Sequence, residues 1–257
     1  MLERHIPTAS HALTNQVIYS LIEPLFPASR NILDLGCGKG HMTQRIANGL
    51  IRAGLQPATI LTACDIVEEG YACAEIPFVS ADLNQALPFE ECAFDLIVSV
   101  EVMEHIHQFY QLIMECSRIL KTGGVLIFSV PNILHINSRI SFLATGFFDM
   151  YIVPTTDQKM AGRLCGHVMP LSLAYLSYGL RRAGFEAITV HPDKQKKSAV
   201  ILSVLLHPFF RLGAWYYDRK IQKYDSRVYA ENRTILTAMN GFDMLTARSC
   251  ILMARKP

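Results

Sequence analysis

Two glutamates and a histidine stand in the spacing Glu101-Val102-Met103-Glu104-His105. If a helical turn begins at Glu101, positions 101, 104 and 105 share one face. Two carboxylates and an imidazole on one face form a donor set for a divalent cation. Such an oxygen-rich set favours Mg²⁺ or Mn²⁺ and also accepts Zn²⁺ or Fe²⁺. His167, in Gly166-His167-Val168-Met169-Pro170, is the candidate fourth ligand. The same residues serve metal-free chemistry as well, with His105 as a general base and Glu101 as a helix cap. A purely structural cluster is the third reading, and His107 is its solvated neighbour.

These groups need a frame, and the surrounding sequence predicts one. Asn31–Leu35 is a short apolar run that ends in the loop Asp34-Leu35-Gly36-Cys37-Gly38-Lys39-Gly40. Glycines there let the backbone turn tightly and approach a ligand with no Cβ in the way. Residues 41–53 carry apolar side chains at helical spacing, and their first N–H groups are unpaired donors. Further strands are expected at 59–64, 77–80, 94–100, 125–130, 185–191 and 250–254, with helices at 109–120 and 171–183. Segments of this kind alternate along a doubly wound, mostly parallel α/β sheet of seven strands. Ligands bind such sheets at the carboxyl ends of the strands. Asp65 ends the second strand, where an acid reaches ribose hydroxyls, and Asp82 ends the third, within reach of an adenine amino group.

The successive segments ILDLGCGKG, ACDI, SADL, FDLIVSVEVMEHI and LKTGGVLIFSVPN, over roughly residues 30–132, resemble the motifs of class I S-adenosylmethionine (SAM)-dependent methyltransferases. The resemblance implies a Rossmann-like fold and SAM as cofactor. Asp34, Gly36, Cys37, Gly38 and Gly40 would surround its methionine part, and Asp65 with Ile66 its ribose. Asp82 and Leu83 would meet its adenine, and Val100 would close the strand end. Glu68 is an alternative to Asp65. The E-x-x-E-H turn is similar to that of ubiquinone-biosynthesis O-methyltransferases and of small-RNA 2′-O-methyltransferases. In both, the resemblance implies a metal that orients a hydroxyl and lowers its pKa. The acceptor then expected is a hydroxyl on a small molecule, a sugar or a lipid-linked glycan. RNA 2′-O-methylation and non-catalytic SAM binding are the alternatives.

Composition narrows the rest. The 257 residues are 51% hydrophobic with a net charge of +2, which gives no case for a nucleic-acid partner. One domain spanning 1–257 is expected, with insertions at 132–170 and 192–249 that serve as substrate loops or lids. Charge is unevenly spread: residues 1–190 hold 12 Lys/Arg and 17 Asp/Glu, whereas 191–233 hold 9 and 4. Seven scattered cysteines with no C-x-x-C pair suggest reduced thiols and a cytoplasmic protein. The first twenty residues show no signal-peptide pattern. Ala199–Leu206 is an apolar run of only eight residues before His207 and Pro208, too short for the ~20 that span a bilayer. With the aromatics and cations that follow, 199–224 reads instead as a packed lid or a peripheral contact at the inner membrane surface. Oligomeric state is not legible.

Overall fold

The computed structural model describes residues 6–8, 10–156, 166–193, 195 and 197–257, with backbone only at 197 and 198. Gly162 and Cys165 lie outside these residues. The chain divides into two compact units. The first comprises residues up to Val130, Gly179–His191 and Ile251–Pro257; the second comprises Pro131–Tyr178 and Pro192–Cys250.

The first unit is built on a seven-stranded sheet in the order β3-β2-β1-β4-β5-β7-β6. The strands are β1 Ile32–Leu35, β2 Leu61–Asp65, β3 Phe78–Ser80, β4 Phe94–Val100, β5 Leu120–Pro131, β6 Glu186–Pro192 and β7 Ser249–Arg255. Pairs β1–β2, β1–β4, β2–β3 and β4–β5 are parallel. Parallel strands are covered on both faces, and β1 is buried at all four positions. The apolar core gathers Ile32, Leu96 and Val98 from the sheet with Ile18 and Ile22 of α1 (Ala12–Ile22) and Met42, Ile46 and Leu50 of α2 (His41–Arg52). The spacing 42, 46, 50 places one stripe of α2 on the sheet.

Strand β5 begins earlier than its apolar run, because Gly123-Gly124 is absorbed as a bulge rather than spent as a turn. Gly123 has φ +78 and donates its N–H to Lys256 O, while Lys256 N–H returns to Gly124 O. That pattern is a G1 bulge against an antiparallel neighbour, with glycine at the left-handed position. The parallel register of β5 on β4 shifts at the same place. The next helix, α3 (Phe109–Ile119), packs Leu112, Ile113 and Cys116 inward.

The second unit contains α4 (Ile136–Thr145), the start of α5 (Leu173–Arg182), α6 (Lys197–Tyr224), α7 (Ser226–Met239) and α8 (Phe242–Thr246). Asp225 caps α7, accepting from the N–H groups of Arg227 and Val228, and Gly146 closes α4 at φ +79. Helix α6 corrects one expectation. His207 and Pro208 do not end it: Pro208 lies inside one continuous helix. A proline there removes one N–H bond and crowds the preceding turn, and its exposed position lets the helix continue. Among the described residues, Ala199–Tyr224 is long and apolar enough to cross a membrane, with mean hydropathy 1.4 in its apolar window. Segment length therefore does not exclude a membrane span.

Candidate active site

The loop after β1 turns through three left-handed glycines, Gly36 (φ +77), Gly38 (φ +52) and Gly40 (φ +90). Its first two amides, Gly36 and Cys37, donate to Cys64 O at the end of β2. Asp65, the next residue, completes the clamp: Oδ2 accepts from Gly38 N–H at 2.8 Å, and Oδ1 from Ile66 N–H at 2.8 Å. A Cβ at Gly36 would stand 2.5 and 2.7 Å from the methyl groups of Val102. One at Gly38 would meet nothing within 4 Å, so this glycine faces open space.

That space is a cavity of about 620 Å³ over the strand ends, within the range of small-molecule sites. Asp34, Gly36, Cys37, Gly38, Asp65, Ile66, Asp82, Leu83 and Val100 line it, as do Glu101 and His105. Gly40 does not; it is the residue before α2 and its side-chain position is closed by Cys73 and Tyr71. Glu68 is not part of the lining, which favours Asp65 as the strand-end acid. Asp82 accepts from the Asn84 amide at 2.9 Å, and Asn84 in turn accepts from His107 and Gln108 N–H. The third strand end is thereby tied to the approach to α3.

The cavity has a wall that sequence reasoning missed. Pro7, Thr8, Ser10 and Asn15 line it from before and within α1. Asn15 is buried, and its amide nitrogen donates to Ser10 Oγ at 2.8 Å and to Thr8 Oγ1 at 3.3 Å. His41 ring Nδ1 lies 3.0 Å from Ile6 O. The only sequence signal for this wall was polar density, which a solvated N-terminus shares.

The acidic turn also departs from its expected geometry. Glu101 does not start a helix: it sits at φ +54, a left-handed backbone that non-glycine residues rarely adopt. The helical turn is a short 3₁₀ segment, Met103–His105. Glu101 and His105 consequently face the cavity, while Glu104 is fully buried. A Glu104 carboxylate oxygen and a His105 ring nitrogen still lie within 4.8 Å of each other. His167 belongs to the second unit, where its Nδ1 is 2.8 Å from Met150 O and its ring packs on Tyr151. A carbonyl partner requires a proton on Nδ1, which leaves Nε2 as the basic nitrogen of the neutral ring.

Asp34 is the electrostatic oddity of the site. It is buried at the end of β1 and accepts from Thr43 Oγ1. Burial pushes its carboxyl up to about 7, and the neighbouring Asp65 adds to the rise against the Thr43 hydrogen bond. Burial likewise pushes the thiols of Cys37 and Cys64 up, so neither is a reactive thiolate.

Residues 33–128 match the methyltransferase-domain family. Those residues, fewer than half of the chain, are similar to the catalytic domain of SAM-dependent methyltransferases. It is 31% identical over 118 residues to a probable SAM-dependent methyltransferase of Mycobacterium tuberculosis, a match covering 46% of this chain and 41% of that one. It is 29% identical over 175 residues to a ubiquinone biosynthesis O-methyltransferase of Coxiella burnetii, covering 65% and 70%. The chain thus spans less than half the length of the mycobacterial relative. In fold it is similar to a SAM-dependent methyltransferase from Archaeoglobus fulgidus, with TM-score 0.56, 14% identity and 94% of each chain covered. The cofactor of such methyltransferases is SAM, and the residues fit it: the open glycine loop, Asp65 and Asp82 share one cavity.

Gly38→Val is expected to fold and to lose SAM binding at least about tenfold, since its side chain would enter the cavity. Asp65→Ala is expected to weaken SAM by about 1–3 kcal/mol, the loss typical of hydrogen bonds to a charged group. Titration calorimetry checks both, and normal SAM binding by Asp65→Ala together with loss in Glu68→Ala would move the ribose contact to Glu68. A third expectation follows from Asp34. A folded pKa raised above the unfolded value stabilises the ligand-free protein at low pH, and this contribution is lost as pH rises from about 4 through about 7. Urea unfolding between pH 5 and 8 should show this fall in wild type and not in Asp34→Asn; parallel pH profiles would show that Asp34 does not titrate there.

Proposed function

We propose that the chain moves the SAM methyl group to a hydroxyl oxygen of a small-molecule, sugar or lipid-linked acceptor. One observation carries the reading: Glu101 and His105 line the same cavity as Gly38 and Asp65. When bound, SAM supplies an activated methyl on a sulfonium, so the protein's tasks are to align the acceptor and take its proton. His105 is exposed at the cavity and is the base assigned to that proton. Glu101, half-buried and lining the cavity, orients the hydroxyl or the imidazole. A strained backbone at such a residue is the kind retained at working sites.

The alternative form of this site holds a divalent metal at Glu104 and His105, with His105 as a ligand and not as the base. Their donor atoms are close enough to share one ion, and a carboxylate with an imidazole suits Mn²⁺, Mg²⁺, Zn²⁺ or Fe²⁺. Its chemistry would be to lower the pKa of an acceptor hydroxyl. Support for O-methylation comes from the relatives named as ubiquinone biosynthesis O-methyltransferases, with which the chain shares 29% identity. The sequence also gives His167 a share in this chemistry, and its orientation by Met150 O suits a ligand or base.

The test is SAM turnover against a panel of phenols, free sugars and polyprenyl-linked sugars, read as S-adenosylhomocysteine formed. Glu104→Ala and His105→Ala are expected to keep SAM affinity within about threefold and to lose turnover by about 10²-fold or more. EDTA should abolish wild-type turnover, with Mn²⁺ or Mg²⁺ restoring it. Turnover that resists EDTA and rises with a single ionisation near neutral pH would leave His105 as a metal-free base. Methyl transfer to amines and to no hydroxyl would overturn the assignment to oxygen.

A further inference from the structure

Helix α6 of the second unit is apolar on both sides. The residues it turns inward include Ala199 and Ser203, which are buried, and Leu206, Phe210 and Ala214, which are half-buried. Other large apolar side chains face solvent: Ile201, Val204, Leu205, Phe209, Leu212, Trp215 and Tyr216, with Phe209 70% and Leu205 68% exposed. At 100° per residue these positions fall within one continuous stripe. Arg219 and Lys223 extend the same stripe toward the helix end, and Arg211 and Lys220 flank it. Over 197–224 the helix holds five Lys/Arg and a single acid, Asp218. Arg219 lies over the Trp215 ring, 4.6 Å from its centre.

The inward face is fastened to its own unit. Phe210 packs under Arg139 of α4, whose guanidinium stands 4.9 Å from the ring centre. Arg139 donates to Leu134 O, Met239 O and Asn240 Oδ1, so it ties α4 and the end of α7 beneath α6. A helix held this way lies along a surface rather than through a bilayer. Helix α4 adds Leu143, 86% exposed, and Phe142 to the apolar exterior of the unit.

We infer that α6 is an interfacial membrane helix that docks the second unit on an anionic lipid surface. The chemistry of the stripe fits that occupant. Aliphatic residues enter the acyl boundary, Trp and Tyr sit at headgroup level, and Arg and Lys meet lipid phosphates. A second copy of the chain fits less well, because like faces would gather like charge. Docking of this kind would bring a lipid-linked acceptor to the enzyme already concentrated in two dimensions. The inference stands on the helix alone and does not depend on which acceptor is methylated.

Trp215 is the only tryptophan in the chain, so its fluorescence reports this face directly. The full chain is mixed with vesicles of phosphatidylcholine alone or with about one-third phosphatidylglycerol. With anionic vesicles at low salt, Trp215 emission should shift to the blue, acrylamide quenching should fall several-fold, and the protein should co-sediment. Binding should weaken at least about tenfold in high salt and in an Arg219→Glu, Lys220→Glu, Lys223→Glu variant, since each lost cation weakens attraction to the surface. Leu212→Glu, which keeps every cation, should also lose the blue shift. Unchanged emission with anionic vesicles would overturn the inference. So would a blue shift that grows with protein concentration in buffer alone, which assigns the face to a second copy. A chain released from membranes by detergent but not by high salt or carbonate would make α6 a spanning helix.

Discussion

The cavity depends on how closely the loop after β1 approaches the turn after β4. At Gly36 there is no room for a Cβ, because Val102 fills the position from the other side. The backbone also needs φ +77 there, so both the space and the conformation demand glycine. The consequence reaches beyond one residue. Val102 is flanked by Glu101 and followed by the Met103–His105 turn, so the contact at Gly36 sets the distance between the glycine loop and the side chains of Glu101 and His105. A side chain at Gly36 would move both together. The second clamp, Asp65 on the Gly38 amide, holds the far end of the loop against β2.

Those clamps gather negative charge. Asp34 and Asp65 face one cavity, and burial raises the Asp34 carboxyl to about 7. A carboxyl in that state costs stability when forced to ionise, which is a known signature of residues selected for a site rather than for the fold. Thr43 offsets part of the cost by donating to Asp34 from the first turn of α2. The helix thereby orients the acid, and the acid's position on β1 fixes where α2 starts.

Much of this was legible in the sequence, for identifiable reasons. The strands Ile32–Leu35 and Phe94–Val100 are continuous apolar runs because both their faces are covered, and each ends in residues that chemistry rather than packing requires. Nine of the ten residues expected to hold the cofactor line the cavity; Gly40 is the exception, since its glycine serves the start of α2. The rest was hidden by non-local effects. Thr8, Ser10 and Asn15 line the cavity only because α1 packs on α2, and no local pattern says so. Glu101 reads as helical by spacing, but the hydrogen bonds of its amide to Ser129 O and Oγ hold it in a left-handed bend. Pro208 reads as a break, yet its exposed position lets α6 continue around it. Gly123 reads as a turn, yet β7 pairs across it.

The division of the chain into two units bears on what can be carried over from relatives. The matched methyltransferase domain ends at Phe128, and among the described residues the apolar cluster that joins β1, β2 and β4 to α1 and α2 holds none from 131–178 or 192–250. The residues expected to hold the cofactor all fall in the matched part, while Pro7, Thr8, Ser10 and Asn15 line the same cavity from outside it. The stretches outside it hold His167, the Arg139 knot and the exposed stripe of α6, none of which lies within the matched residues. A relative's acceptor is recognised by that relative's own additions, so shared cradle residues transfer the methyl donor and not the methyl acceptor. For this chain, residues 33–128 therefore bear on the methyl donor and not on the methyl acceptor.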